Sequence, residues 1–332
     1  MDELSELTAG APTSFRETLR RGRVSVSAVR ELCEVKDARG VIDLSTTLLT
    51  VLAVPVLAWL LPHPVTYMAC FLLAIHNFNC LAQLVHESDH GSLFRASRLN
   101  TLVGNLCAYP VGYHRYGHRE AHLDHHTYLN TERDPDRIWN RPDQTTRDLF
   151  GAFLRDLFLA SAIHRFLQYA LPRERGGAVS TRRPLTAFGA AAVTLLPVFV
   201  MQALIFGLFA FTAGPWFYLW LHVLPAMTLY PAQIRLRSTV EHSFAEDWPP
   251  SPDGVWVSRT TRPNLLEWFL FAPFGQYYHY EHHIFPAVPH YNLGRVHRLL
   301  LEAGIRVPVT TSYVGFLVRK IRAERRGVWT TP

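Results

Sequence analysis

Four stretches of this chain, roughly 42 to 61, 65 to 85, 185 to 212 and 215 to 234, are strongly apolar and contain no lysine or arginine. Each comes close to the ~20 residues an α-helix needs to cross a ~30 Å hydrocarbon layer. The links inside each pair are minimal: "LPHPV" at 61 to 65 and "TAGP" at 212 to 215. The expected fold is therefore an all-α integral membrane protein with four transmembrane helices arranged as two hairpins. Composition agrees, with 48% hydrophobic but only 18% charged residues in a chain of 332.

Neither link carries a basic residue, so both hairpins turn on the same side. All 33 Lys and Arg residues fall in the N-terminal arm, in the 91 to 183 segment, or in the tail from Arg235. The positive-inside rule puts these three regions, and with them both termini, in the cytoplasm. The domains expected are a basic amphipathic arm (1–41) lying against the headgroups, a membrane domain (42–300) and a basic interfacial tail (301–332). The membrane domain includes a cytoplasmic histidine-rich helical cap made of 86–184 and 235–300.

Within the cap, "DLFGAFLRDLFLASAIHRFLQYAL" reads as an amphipathic stretch resting in the interface, and "EHSFAEDWPPSPDGVWVSRTTRPN" as a loop. "LLEWFLFAPFG" is too short to span and is expected to lie flat on, or dip into, the membrane surface. The first 40 residues lack the apolar core of a signal peptide. Lysine occurs only at 36 and 320, the skew of a GC-rich genome, which favours a bacterial cytoplasmic membrane. Cys33, Cys70, Cys80 and Cys107 have no paired or metal-like spacing and read as reduced packing residues. A net charge of +6 is ordinary for a cytoplasmic membrane surface and does not call for nucleic acid.

Seventeen histidines are present, and eight of them form three boxes: "HESDH" (His86, His90), "HLDHH" (His122, His125, His126) and "HYEHH" (His279, His282, His283). His242, just past the fourth stretch, is a ninth candidate. The topology places all nine on the cytoplasmic side. Offsets of three and four share a helix face, so each box is expected to point its imidazoles at one spot. A single zinc takes about four ligands, and eight or nine imply two metals. Imidazole alone does not choose among Zn, Cu, Fe and Ni, although two irons are the usual oxygen-activating pair.

Carboxylates lie between or beside these rings: Glu87, Asp89, Asp124, Glu241 and Glu281. They read as partners that hold imidazole tautomers from behind. In the second apolar stretch His76, Asn79, Gln83, His86 and His90 follow at steps of three and four, a polar stripe leading toward the metals. His76 and Asn79 are thus candidates for the wall of a substrate channel, the alternative being hydrogen bonds between helices. His222 reads as a core histidine, His63 lies in the outer turn, and His164, His290 and His297 are lone residues.

"HESDH", "HLDHH" and "HYEHH", in this order around two hydrophobic hairpins, resemble the histidine boxes of the membrane fatty acid desaturase family. Relatives of that family include sphingolipid desaturases, carotenoid oxygenases and alkane hydroxylases. "TERDPD" after the second box and "HHIFPAVPHYNL" at the third resemble the acyl-lipid desaturase pattern. The resemblance covers about residues 42 to 300. It implies a four-helix membrane cone, a cytoplasmic domain holding two irons, and a ligand just before the third box, which His242 matches. It also implies O2, donated electrons and a lipid-like acyl substrate. His118, four residues before the second box, falls where relatives commonly carry a bulky aromatic, which makes it a packing or supporting residue rather than a ligand.

Two departures shift the expectation. The first box has three intervening residues where acyl-CoA desaturases have four, and the third begins with His279 rather than glutamine, unlike a front-end desaturase. No HPGG haem motif occurs, so electrons are expected from a separate donor of the ferredoxin, rubredoxin or cytochrome b5 type. The competing readings are a hydroxylase or ketolase acting on a fatty, terpenoid or carotenoid substrate, a zinc-dependent membrane hydrolase and a metal transporter. A hydrolase needs about three protein ligands on one zinc, fewer than the boxes offer. A transporter needs polar residues across the whole bilayer, which the first and third apolar stretches lack.

Overall fold

The structure, a computed structural model, describes residues 24–139, 141, 144–164, 184–243 and 258–327. They are mostly helical, with one parallel pair of two-residue strands, β1 (Thr260–Thr261) and β2 (Val309–Thr310). Among the described residues three helices are long and apolar enough to cross a membrane: α2 (Asp37–Leu60), α3 (Pro64–His90) and the Thr194–Phe211 part of α7 (Pro184–Phe211). Their outward faces carry exposed Leu48, Leu49, Leu52 and Trp59 on α2 and Leu196, Phe199 and Leu204 on α7. Apolar surface on this scale needs a lipid or protein cover.

α3 begins where Pro64 supplies a pre-set φ at its first position and the His63 side chain accepts from Val65 N. It ends at Gly91, whose φ of 74° is the left-handed conformation that closes a helix. The fourth expected span is helical but is not one α-helix. It comprises α8 (Pro215–Tyr218), two π turns (Leu219–Val223 and Pro225–Leu229) and α9 (Tyr230–His242). Pro225 and Pro231 lack the N–H of a regular ladder, and the wider turns accommodate the gap. Both α3 and α9 run past the ends expected for their apolar stretches and carry His86, His90 and His242 on the same continuous rods.

The cap is built from α4 (Ser97–Val111), α5 (Arg115–Tyr128), α6 (Thr146–Leu157), α10 (Leu265–Phe271), α11 (His279–Ile284), α12 (Leu293–Glu302) and α13 (Tyr313–Arg325). Two of the basic helices pack on protein. In α1 (Val26–Leu32), Val29 and Leu32 are buried with Ile284, Phe285, Val296 and Leu300 of the third-box region. The tail helix α13 likewise buries Tyr313 and Phe316 against Val240 and Ala272, and its buried Lys320 pairs with Glu324 at 2.9 Å. A mixed apolar and basic helix can cover protein as well as lipid.

α6 opens with a Thr145–Asp148 capping box and is held to α9 by the buried pair Asp156–Arg235, with nitrogen–oxygen distances of 2.7 and 2.9 Å. The rest of the expected amphipathic stretch beyond His164 lies outside the described residues, as do residues 1–23 of the arm and 244–257 of the expected loop. The four cysteines are free thiols, Cys70, Cys80 and Cys107 being buried.

Candidate metal centre

Four helices deliver the nine histidines. The last turn of α3 presents His86 and His90, α5 presents His122, His125 and His126, α9 ends on His242, and α11 carries His279, His282 and His283. They form two groups: His86, His90, His122, His126 and His282 in one, and His125, His242, His279 and His283 in the other. Within each group the donor atoms all lie within 4.8 Å of one another.

The boxes do not each converge on one spot, except for His86 and His90. The second and third boxes divide their rings between the groups, first and last going one way and the middle histidine the other. The cause is helical pitch: at 3.6 residues per turn adjacent residues diverge by about 100°, while i and i+4 diverge by only about 40°.

The Nε2 atoms face one another. His90 and His122 stand 2.8 Å apart, His86 and His282 2.9 Å, His126 and His282 3.0 Å and His122 and His126 3.1 Å. In the second group His242 and His279 are 2.9 Å apart and His279 and His283 3.0 Å. Two nitrogens bound at about 2.1 Å and at right angles on one metal are separated by ~3.0 Å. The groups adjoin, His126 stacking on His283 with ring centroids 4.3 Å apart.

Burial, reinforced by the neighbouring imidazoles, holds His122, His126, His279, His282 and His283 well below the ordinary histidine range. They are therefore neutral, the form that binds metal. A neutral imidazole has one N–H at most, which can join two of these rings but cannot satisfy four or five nitrogens converging on one point, so this donor set fits two metal ions. Imidazole nitrogen suits iron as well as zinc or copper.

The outward-facing Nδ1 atoms of His125 and His86 have partners of their own. Burial opposes charge on His125, but Asp134, 2.9 Å from its Nδ1, and Asp136, at 3.8 Å, raise it to about 9. Asp134 is fixed in turn by the backbone N–H groups of Asn130 and Asp136, at 2.8 and 2.9 Å. Neither aspartate was singled out from the sequence; the signal was "TERDPD", acidic residues turning back directly after the second box. His86 Nδ1 meets Gln83 at 3.4 Å and Glu87 at 3.6 Å.

The other expected carboxylates do different jobs. Asp89 binds His118 Nδ1 at 2.6 Å and Arg115 at 2.9 Å. Glu281 holds His297 at 2.5 Å and Thr260, anchoring α11 to the strand pair. Asp124, next to His125 on α5, is half-buried and has no hydrogen bond or ion pair among the described residues. Glu241 approaches His279 at Nε2, 3.5 Å away, and not at Nδ1. Burial pushes the Glu241 carboxyl up to about 7 against the pull of Arg237 and Tyr313. His118 belongs to neither group, although it stacks on His122 at 5.8 Å.

A cavity of about 110 Å³ reaches both groups; Asn79, Gln83, Tyr113, His118 and Glu241 help to line it. Tyr113 also borders an apolar cavity of about 310 Å³ with Val198, Gln202 and His222. His222 and Pro110 in turn border a third, of about 340 Å³, among Leu48, Phe78, Ile205 and Phe209. His222 itself is paired with Gln202 at 3.1 Å. Asn79 lines the first cavity while reaching Gln233 at 2.7 Å and the Leu270 carbonyl at 2.9 Å. His76 is not in the cavity wall: its Nδ1 meets the Phe269 carbonyl at 2.7 Å, tying α3 to α10.

The sequence profile described as "fatty acid desaturase" matches residues 43–312. The chain is 25% identical over 224 residues to the sn-1 oleoyl-lipid 12-desaturase of Arthrospira platensis, covering 63% of this chain and 60% of that one. It is also 25% identical over 228 residues to the protein of the same name from a Picosynechococcus strain, covering 64% and 62%. Against an endoplasmic reticulum omega-3 fatty acid desaturase of Vigna radiata it is 26% identical over 231 residues, covering 65% and 60%. The chain thus spans about three-fifths of the length of the curated relatives it matches.

Proposed function

This chain belongs to the fatty acid desaturase family, and on that premise we propose that it desaturates the acyl chain of a membrane lipid with two iron ions, O2 and donated electrons. The observation that carries this reading is the division of nine buried or half-buried histidines into groups of five and four beside one cavity. The acyl-lipid substrate is supported by the names of the cyanobacterial relatives and by the run of apolar cavities from Tyr113 into the helices. Each turnover takes two hydrogens from adjacent carbons; with O2, two electrons and two protons it yields an alkene and two waters.

Bound between the imidazoles, two ferrous ions would supply the O2 reduction and the hydrogen abstraction that no side chain can perform. The chain's own residues bind, orient and exclude water. The nine histidines hold the ions, with Asp134 fixing the His125 tautomer through its Nδ1–H. Tyr113, Asn79 and Gln83 shape the space next to them, and the apolar cavities receive the chain. Four membrane spans, counting the α8–α9 rod, with both termini and the centre on the cytoplasmic face of a bacterial membrane complete the reading. Electrons come from a separate ferredoxin, rubredoxin or cytochrome b5 type donor.

Lipid extracts of cells expressing the protein test this directly. Acyl chains lighter by two mass units are expected, together with about two irons per purified chain. A gain of sixteen units would make the enzyme a hydroxylase, and one zinc without iron would remove the oxygenase reading altogether.

A further inference from the structure

We propose that Glu241 is a fifth protein donor to the group formed by His125, His242, His279 and His283, so that five side chains complete each metal centre. The inference rests on the two-metal reading above and deepens it.

Direction is the first argument. Asp134 and Glu87 approach their histidines at Nδ1, the side turned away from the metals. Glu241 Oε2 instead stands 3.5 Å from His279 Nε2, on the metal side. Two donors bound at about 2.1 Å to one ion are that far apart when the angle between them is about 110°. The carboxylate is 1% exposed and lines the cavity shared by both groups.

Orientation is the second. Arg237 Nε lies 3.3 Å from Oε2, and the buried Tyr313 hydroxyl donates to Oε1 at 3.2 Å. A side chain gripped at both oxygens keeps its direction without a metal. Charge is the third. Nine neutral imidazoles give two divalent cations no counter-charge, and buried charge is costly unless paired. The imidazoles divide five to four, and Glu241, like His118 outside both sets of mutually close donors, lies beside the group of four.

The test titrates the full-length, detergent-solubilised, metal-stripped protein with Co2+ and follows its visible spectrum. The wild type should take up about two Co2+. Glu241→Gln should bind one as before and the other at least about tenfold more weakly, with the spectrum of the weakened site changed. Tyr313→Phe, which keeps the carboxylate, should weaken the same site less. Infrared difference spectra of the wild type on Co2+ addition need no variant and should show a carboxylate band shift. Unchanged affinity and spectrum in Glu241→Gln, or no carboxylate shift, overturns the proposal while leaving the two-metal reading intact. Fewer than two Co2+ in the wild type overturns both.

Discussion

His125 and His126 are consecutive in the chain, yet they look into different centres. The two rings are nearly perpendicular, at 77°. Nε2 of His126 faces His282 at 3.0 Å, while the His125 ring meets His242 edge-on with centroids 5.0 Å apart. Substituting one of them should therefore empty one centre. His126→Ala is expected to lower iron from about two to about one per chain, and His125→Ala to do the same while leaving a different spectrum. Elemental analysis with Mössbauer spectroscopy checks this; loss of all iron from either variant would mean that the centres do not load separately.

His118 sits one turn before His122, but its Nδ1 is committed to Asp89 at 2.6 Å and it belongs to neither group. His118→Ala should keep most of the iron, whereas His122→Ala should lose a large part of it. Equal losses in the two variants would make His118 a ligand.

The difference between these neighbours shows what the sequence made legible. A histidine pair at i and i+4 on a helix leaving the bilayer was enough to place His86 and His90 together. The division of the second and third boxes was not anticipated, because shared-face reasoning treats offsets three and four alike although they diverge by about 100°. Asp134 was hidden in a loop, where no periodicity points a side chain. The protein contacts of α1 and α13 were not legible for a related reason: Leu32 and Phe316 need an apolar cover, and their spacing does not say whether lipid or protein supplies it. Eight of the nine histidines were legible because they cluster in three short boxes at helical spacings of three and four.

Metal-free protein should lose stability at alkaline pH through His125. Its folded value of about 9 stands above the ordinary 6.5, so the protonated ring stabilises the fold fully below pH 6.5. That contribution disappears as the pH rises through about 9. The melting temperature of stripped protein should therefore fall mostly between about pH 7 and 9, above the range in which Glu241 ionises. Asp134→Asn should flatten the fall, and so should metal, which takes the place of the proton. A slope unchanged by Asp134→Asn would remove His125 as its source.

Gly104 on α4 lets α3 and α5 meet. A methyl group there would collide with Ser88 Oγ and the Arg115 side chain. Arg115 has little freedom to move, being hydrogen-bonded to the Ser88 carbonyl at 2.5 Å and paired with Asp89 at 2.9 Å. Gly104→Ala is expected to cost about 1–3 kcal/mol, read as a lower melting temperature. Because Asp89 also holds His118, activity should fall more than iron content.

Asn79 and His76 lie one turn apart on α3, and the structure separates their roles. His76 stacks flat on Phe269 at 4.2 Å and meets its carbonyl, outside the cavity. Asn79 makes similar ties to α9 and α10 but also borders the cavity below the metal groups. Either alanine substitution strands buried partners, at about 1–3 kcal/mol, so total activity cannot tell the two apart. The ratio of double-bond positions among the products can, because it is set within each folded molecule and does not depend on how many have folded. Asn79→Ala should change that ratio while His76→Ala lowers yield alone. An unaltered ratio in Asn79→Ala would leave this residue only its role in joining α3, α9 and α10.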